Sequence, residues 1–312
     1  MYRLTMNNEE LTMRGLLLLD KPPSITSFTA VSRTRRILGI KKAGHTGTLD
    51  PMATGVLPIL LGGATRFSEF LPSHDKAYLA GLRLGVRTDT LDITGAVLEE
   101  KPVSVTRGEI EQALAQFRGV ILQTPPMYSA KSQDGRRLYE LARQGIEVER
   151  EPREVTIYRL EITQCPEKLS IVNSQFAIEV ECSAGTYIRS LTDDLGRALG
   201  CGACMTSLRR TKANGYGIER CVTLEQLQQG SGAAGFIPLD EALSTYPAVQ
   251  VSPAQAVRFR NGGALDLARL QTQTPAQGSL HRVYGDELFL GLGRIQGPEL
   301  AIARLLTAST PS

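Results

Sequence analysis

Histidine is scarce in this chain of 312 residues, with three in all, and that scarcity narrows the chemistry first. A Ser-His-Asp triad would have to use His45, which shares one glycine-rich loop with Asp50, so triad catalysis is not expected. Cysteine is few and odd in number: Cys165, Cys182, Cys201, Cys204 and Cys221. The Met1–Met13 stretch holds no apolar run, so a secretion signal is not expected, and an odd cysteine count then argues against a disulfide framework. Cys201-Gly-Ala-Cys204 has metal-knuckle spacing, but no second pair follows and no histidine is near it in sequence. Neither a zinc nor a redox site is expected from it. No apolar stretch approaches the length of a membrane span, and the expected location is the cytoplasm. Excess charge is missing too: Lys and Arg number 35 against 32 Asp and Glu, a net +3. Any surface for a polyanion must therefore come from local patches.

The length suggests about two domains, and a hydrophobic content of 42% supplies an ordinary globular core. The chain centres on Gly44 to Leu57, Gly-His-Thr-Gly-Thr-Leu-Asp-Pro-Met-Ala-Thr-Gly-Val-Leu. Three glycines and Pro51 make it a poor helix and a poor interior strand, so a loop is expected. Pro51 biases the residue before it toward extended angles, which leaves Asp50 less free than an ordinary loop acid. Asp50 either caps its own turn or serves as a nucleophile or base. Val56–Leu61 behind it is apolar enough for a buried strand.

Gly15–Asp20 reads as a buried strand, followed by a helix from Ser27 to Leu38 capped by Ser24 or Thr26, with Phe28, Val31 and Ile37 among its apolar positions. From Arg33 to Lys42 come five cations (Arg33, Arg35, Arg36, Lys41, Lys42) and no acid, either a solvated helix face or a phosphate-binding run. Ala77–Gly85 is strand-like, with Tyr78, Ala80, Leu82 and Leu84 on one face. Thr106-x-x-Glu109 opens a helix that Gly119 can close. Tyr128 to Tyr139 mixes Lys131, Arg136 and Arg137 with aromatics, and Arg143 follows; this is either a charged insertion or a single-stranded RNA surface. Val155–Ile162 and Gln175–Cys182 alternate as strands. At Gly185-Thr-Tyr-Ile-Arg189 the period becomes helical, with Arg189 in the first turn. The helix dipole disfavours a cation there, which calls for an acid partner. After Tyr246-Pro247 the texture becomes glycine-rich and β-like. Ala248–Ser312 is expected to be a separable accessory segment, with Arg258, Arg260 and Arg304 placed for distal contacts.

Five ordered blocks together resemble the TruB-type tRNA pseudouridine-55 synthases. They are the Asp50 loop; Asp20-Lys21-Pro22 with Thr26-Ser27; Lys76-x-Tyr78 with Leu84-Gly85 and Thr88-Asp-Thr90; Pro125-Pro126 with Tyr128-Ser-Ala130 and Leu138-Tyr139; and Cys182 with Gly185–Arg189, followed by Leu208-Arg-Arg-Thr211. Ser24 and Asn214-Gly215 depart from the family pattern, which has Gly and Gly-Pro there, and Lys131 stands one place before the family's lysine. The fold implied is α+β, a mixed, mostly antiparallel pseudouridine-synthase sheet with flanking helices. It covers 1–247, with an RNA-gripping insertion at about 124–153, and a small, mostly β, PUA-like RNA-binding domain covers 248–312. The activity implied is isomerisation of the T-loop uridine of tRNA, with the base flipped from its stack. Asp50 would be the catalytic carboxylate, Tyr78 the residue stacking on the base and aiding removal of the C5 proton, and Arg189 the partner of Asp50. His45 would fill the space the nucleotide leaves. Residues expected to face RNA are Lys21, Arg33, Arg36, Lys41, Lys42, Tyr128, Lys131, Arg137, Arg143, Leu208, Arg209 and Arg210. No metal, cofactor or obligatory protein partner is implied, and the protein is expected to act on the T-arm stem-loop as a monomer.

Overall fold

The computed structural model describes residues 14–129, 132–133, 136–146, 148–170, 172–270 and 276–306. Strand β1 (Gly15–Lys21) is buried on both faces, which is why it reads as an unbroken leucine run and not as an alternation. Leu17 and Leu19 enter one core, Leu16 and Leu18 a second. Helix α1 (Ser27–Leu38) starts at Thr26, whose hydroxyl accepts from Thr29 N, and ends at Gly39 in the left-handed region. Ser24 holds φ at +64°, so the turn keeps a glycine-like backbone although the residue is serine.

The expected loop from Gly44 to Leu57 is shorter in the structure. Ala43–His45 forms strand β2, paired with Ile59–Leu61, and Thr54 opens strand β3 (Thr54–Leu61). Gly55 serves strand packing and not loop flexibility: its φ is +103°, and a Cβ there would lie 2.1 Å from Arg210 O. Strand β4 (Lys76–Leu84) buries Tyr78, Ala80, Leu82 and Leu84 as the alternation predicts. Helix α2 (Arg107–Ala115) carries the Thr106–Glu109 capping box but ends before Gln116. Gly119, expected to close it, instead opens the strand Gly119–Gln123 at φ +85°. Helices α3 (Leu138–Arg143) and α4 (Ile188–Ala198) follow.

Across the main sheet the order is Phe236–Pro238, β1, β3, Ala203–Ala213, β4, Gln175–Cys182, Arg153–Gln164 and Gly119–Gln123. Neighbours along this path are antiparallel except β3 and Ala203–Ala213, which run parallel. This register aligns Lys21, Gly55, Arg210, Tyr78 and Val180 in one row across five strands. The segment that leads out of the Asp50 loop thus shares a row with Tyr78.

Residues 248–306 form a five-stranded sheet with the helix Pro253–Arg260 against it, and its own core holds Phe259, Val283 and Leu300. This segment shares a core with the rest of the chain, where a separable accessory unit was expected. Leu292 is fully buried in a cluster with Leu16, Leu18, Leu60, Phe67 and Phe70, and the Phe289 ring lies 6.1 Å from that of Phe67. Arg304, expected to reach distal RNA, pairs with Glu69 and lies over the Phe70 ring at 5.5 Å. A chain ending at Pro247 is therefore expected to aggregate, or to melt on the order of 10 °C below the whole protein. Size-exclusion chromatography and a thermal melt check this; a monodisperse fragment with an unchanged Tm would show the shared core to be dispensable.

Candidate active site

Asp50 closes a turn with its backbone, Ala53 N donating to Asp50 O at 3.1 Å, and Pro51 supplies the fixed φ that the second turn position favours. Just upstream Leu49 is buried and tied to the start of α1: Leu49 N donates to Ser27 Oγ at 2.8 Å, and that hydroxyl donates to Leu49 O at 3.0 Å. The Asp50 side chain does not cap its own turn. Arg189 Nη2 donates to Oδ1 and Nε to Oδ2, both at 2.9 Å, a bidentate pair.

Arg189 is 5% exposed and spends its other donors on backbone, Nη1 to Thr90 O at 3.2 Å and Nη2 to Tyr128 O at 2.8 Å. Its place in the first turn of α4 calls for an acid, and Asp50 is that acid. The start of α4 lacks a side-chain cap at Tyr187, and buried Gln123 brackets it instead. Tyr187 N donates to Gln123 Oε1 at 2.7 Å, and Gln123 Nε2 donates to Tyr187 O at 3.0 Å. Gln123, at the end of an alternating strand, carried no sequence signal for this.

Two cations expected on an RNA surface lie inside the protein. Lys21 is 0% exposed and Arg210 1%. Lys21 Nζ donates to Pro22 O, Ile25 O and Pro51 O at 2.9, 2.8 and 3.3 Å. Arg210 donates to Val56 O, Thr48 O and Gly47 O at 2.7, 3.4 and 3.2 Å. Both act as internal clamps on carbonyls of and around the Asp50 loop, which would otherwise be buried without donors. Arg209 is more open, but Asp20 engages it in two contacts, at 2.8 and 3.3 Å.

A cavity of about 270 Å³ opens beside the ion pair, lined by Asp50, Arg189, Tyr78, Leu208, Lys76 and Ser129 with the backbones around Thr48 and Thr186. Its size sits just below the ~300 Å³ at which small-molecule sites begin, which suits one base. Lys76 was missed by sequence reasoning, although it continues the two-residue period of the Tyr78 face. Burial pushes the Tyr78 phenol up to about 12, against the pull of Arg210. It is therefore a neutral ring with an O–H at physiological pH, poorly suited to act as a base. Burial also pushes Lys21 down to about 8, with Asp50 pulling it back. The Asp50 carboxyl itself is raised by burial, Arg189 opposes that rise most strongly, and Asp92 adds to it.

His45, Tyr128 and the cations along α1 and just after it do not line this cavity. His45 ends β2 opposite Ile59. Tyr128 contributes its carbonyl to Arg189, and its hydroxyl donates to Asp89 at 3.4 Å. Arg33, Arg36, Lys41 and Lys42 are exposed along α1 and the segment after it. Arg137 lies in a two-residue strand paired with Ser132–Gln133, and Arg143 ends α3, while Lys131 lies outside the described residues.

Residues 35–188 match the TruB family pseudouridylate synthase (N terminal domain). Residues 189–243 match the tRNA pseudouridylate synthase B C-terminal domain, and 247–306 match Pseudouridine synthase II TruB, C-terminal. The chain is 46% identical over 299 residues to tRNA pseudouridine synthase B of Azoarcus sp. (strain BH72), covering 95% of this chain and 96% of that protein. It is 45% identical over 288 residues to tRNA pseudouridine synthase B of Stutzerimonas stutzeri (strain A1501), covering 90% and 91%. Among solved structures it superposes on a chain of a Cbf5-Nop10-Gar1 complex with a TM-score of 0.70 at 26% identity, covering 95% of this chain and 85% of that one. The fold is that of a pseudouridine synthase, with a PUA-like β segment at the C-terminal end. Within that class, the chain belongs to the TruB family.

Arg189→Lys tests the pair. A lysine offers one point charge, which cannot chelate both carboxylate oxygens and also satisfy Thr90 O and Tyr128 O. Activity that needs ionised Asp50 is present above its pKa and lost as pH falls through it. Weakening the main influence that lowers that pKa must move the acid limb to higher pH. The expected result is a drop in kcat/KM of about tenfold or more at neutral pH, with an upward-shifted acid limb. A pH–rate profile checks this, and an unmoved limb would mean that Arg189 does not tune Asp50.

Proposed function

We propose that this protein isomerises the T-loop uridine of tRNA, position 55, to pseudouridine, working as a monomer in the cytoplasm without a protein partner or cofactor. The observation that carries the reading is Asp50, locked bidentately by Arg189 beside a base-sized cavity that Tyr78 and Leu208 also line. In this isomerisation the N-glycosidic bond breaks, the uracil rotates, and C5 bonds to C1′ while its proton leaves. Asp50 acts at the sugar, as nucleophile at C1′ or as base at C2′, and both routes need the ionised carboxylate that Arg189 favours. Tyr78 presents its ring to the flipped base. The names of the 46%-identical relatives support tRNA as the substrate over a second reading, a guide-RNA-dependent rRNA pseudouridine synthase.

Binding is read as electrostatic and local. Phe28, 77% exposed, and exposed Arg35 and Arg36 recur at i, i+7 and i+8 and so share one face of α1. Together with Arg33, Lys41 and Lys42 they form a basic band with an aromatic platform, and the 124–153 insertion and the PUA-like segment extend the grip on tRNA.

Asp50→Asn is expected to abolish tritium release from C5-labelled uridine in an unmodified tRNA transcript. Affinity should stay within about tenfold, a difference of about 1.4 kcal/mol. Substantial residual isomerisation would remove Asp50 from the chemistry. In salt titrations of tRNA affinity, alanine at Arg33, Arg36 or Lys42 should each reduce the log–log slope by about 0.7–0.9. Slopes unaffected by all three changes would locate the phosphate contacts elsewhere.

A further inference from the structure

Ser129 is 4% exposed and lines the catalytic cavity, yet its hydroxyl has no hydrogen-bond partner among the described residues. A buried hydroxyl left unsatisfied is rare and destabilising. The residue is not loosely held. Its backbone N–H donates to Met127 O at 2.9 Å, and the carbonyl of the preceding Tyr128 accepts from Arg189 Nη2 at 2.8 Å. The guanidinium that orients Asp50 therefore also fixes where Ser129 stands. Neighbouring polar groups of the cavity are committed: Arg189 to Asp50 and two carbonyls, and Lys76 Nζ to His74 O at 2.9 Å.

We propose that the Ser129 hydroxyl is a substrate-positioning contact, donating a hydrogen bond to an oxygen acceptor of the flipped nucleotide. The inference rests on the pseudouridine-synthase reading of this pocket. Uracil and ribose both offer such an acceptor, as an exocyclic carbonyl or a hydroxyl. A base carbonyl suits the reaction well. When uracil turns so that C5 replaces N1, the C2 and C4 carbonyls exchange places, so a donor facing one before the turn faces the other after it. A hydroxyl with a freely rotating proton keeps its bond in both orientations.

The test compares Ser129→Ala with the unaltered protein in single-turnover isomerisation of a tRNA transcript and in a thermal melt. Loss of a hydroxyl that has no protein partner leaves the fold intact, so the Ala variant should keep or slightly raise its Tm. Its rate at saturating tRNA should fall about tenfold, the loss expected for one neutral hydrogen bond of about 1.4 kcal/mol, with KM little changed because phosphate contacts dominate affinity. Ser129→Cys, close in size and a weak donor, should fall between the two. A transcript with 4-thiouridine at the target, a poorer acceptor, should shrink the Ala penalty if the contact is to the base. A 2′-deoxy target should shrink it if the contact is to the ribose. Full activity of the Ala variant, a marked drop in its Tm, or a penalty unchanged on both analogues would overturn the proposal. An unaltered protein inactive on tRNA would instead overturn the functional reading itself.

Discussion

The structure depends on one ion pair, its arginine buried and its carboxylate half-buried at the edge of the cavity. Arg189 and Asp50 come from segments far apart in sequence, and buried Arg189, in the first turn of a helix, needs an acid beside it. The guanidinium lies at the positive end of a helix, almost wholly out of water, and the carboxylate lies in a site that disfavours its charge. Removing one partner of such a pair typically destabilises by about 3–5 kcal/mol, because the other charge is left buried. The same contact opposes the rise that burial imposes on the Asp50 carboxyl and fixes its direction.

Around the pair, the protein uses cations as internal struts. Lys21 and Arg210 donate to six backbone carbonyls between them, from Pro22 to Val56, and hold the Asp50 loop from two sides. An irregular loop cannot satisfy its own carbonyls as a helix or sheet does, and buried loops need donors from elsewhere. Long cationic side chains supply several at once.

Much of this was legible in the sequence, and the rest was hidden for definite reasons. The two-residue period of Tyr78 to Leu84, the helical stripe after Gly185 and the Thr106–Glu109 box each mark local structure, because local spacing determines them. The demand for an acid near Arg189 was also legible, since the helix dipole is a local fact. The burial of Lys21 and Arg210 was not. A lysine next to Pro22-Pro23 reads as surface, and its burial depends on Pro51 O, thirty positions away. Gln123 was invisible for the same reason, since its partner is the Tyr187 backbone. The shared core was missed because Leu292 and Phe289 fit a small independent β unit equally well; only their packing on the second face of β1 and on the Phe67–Phe70 stretch shows what they cover.

That shared core has a consequence for biosynthesis. Leu16 and Leu18 are among the first residues of the described fold to leave the ribosome, yet Leu292, which helps cover them, is among the last. At about 5–20 residues per second, their cover trails them by on the order of 14 to 55 seconds. During that interval Leu60, Phe67 and Leu243 join the cluster in turn, but the part of it that Leu292 covers stays open. The main sheet thus completes its second core only at the end of translation.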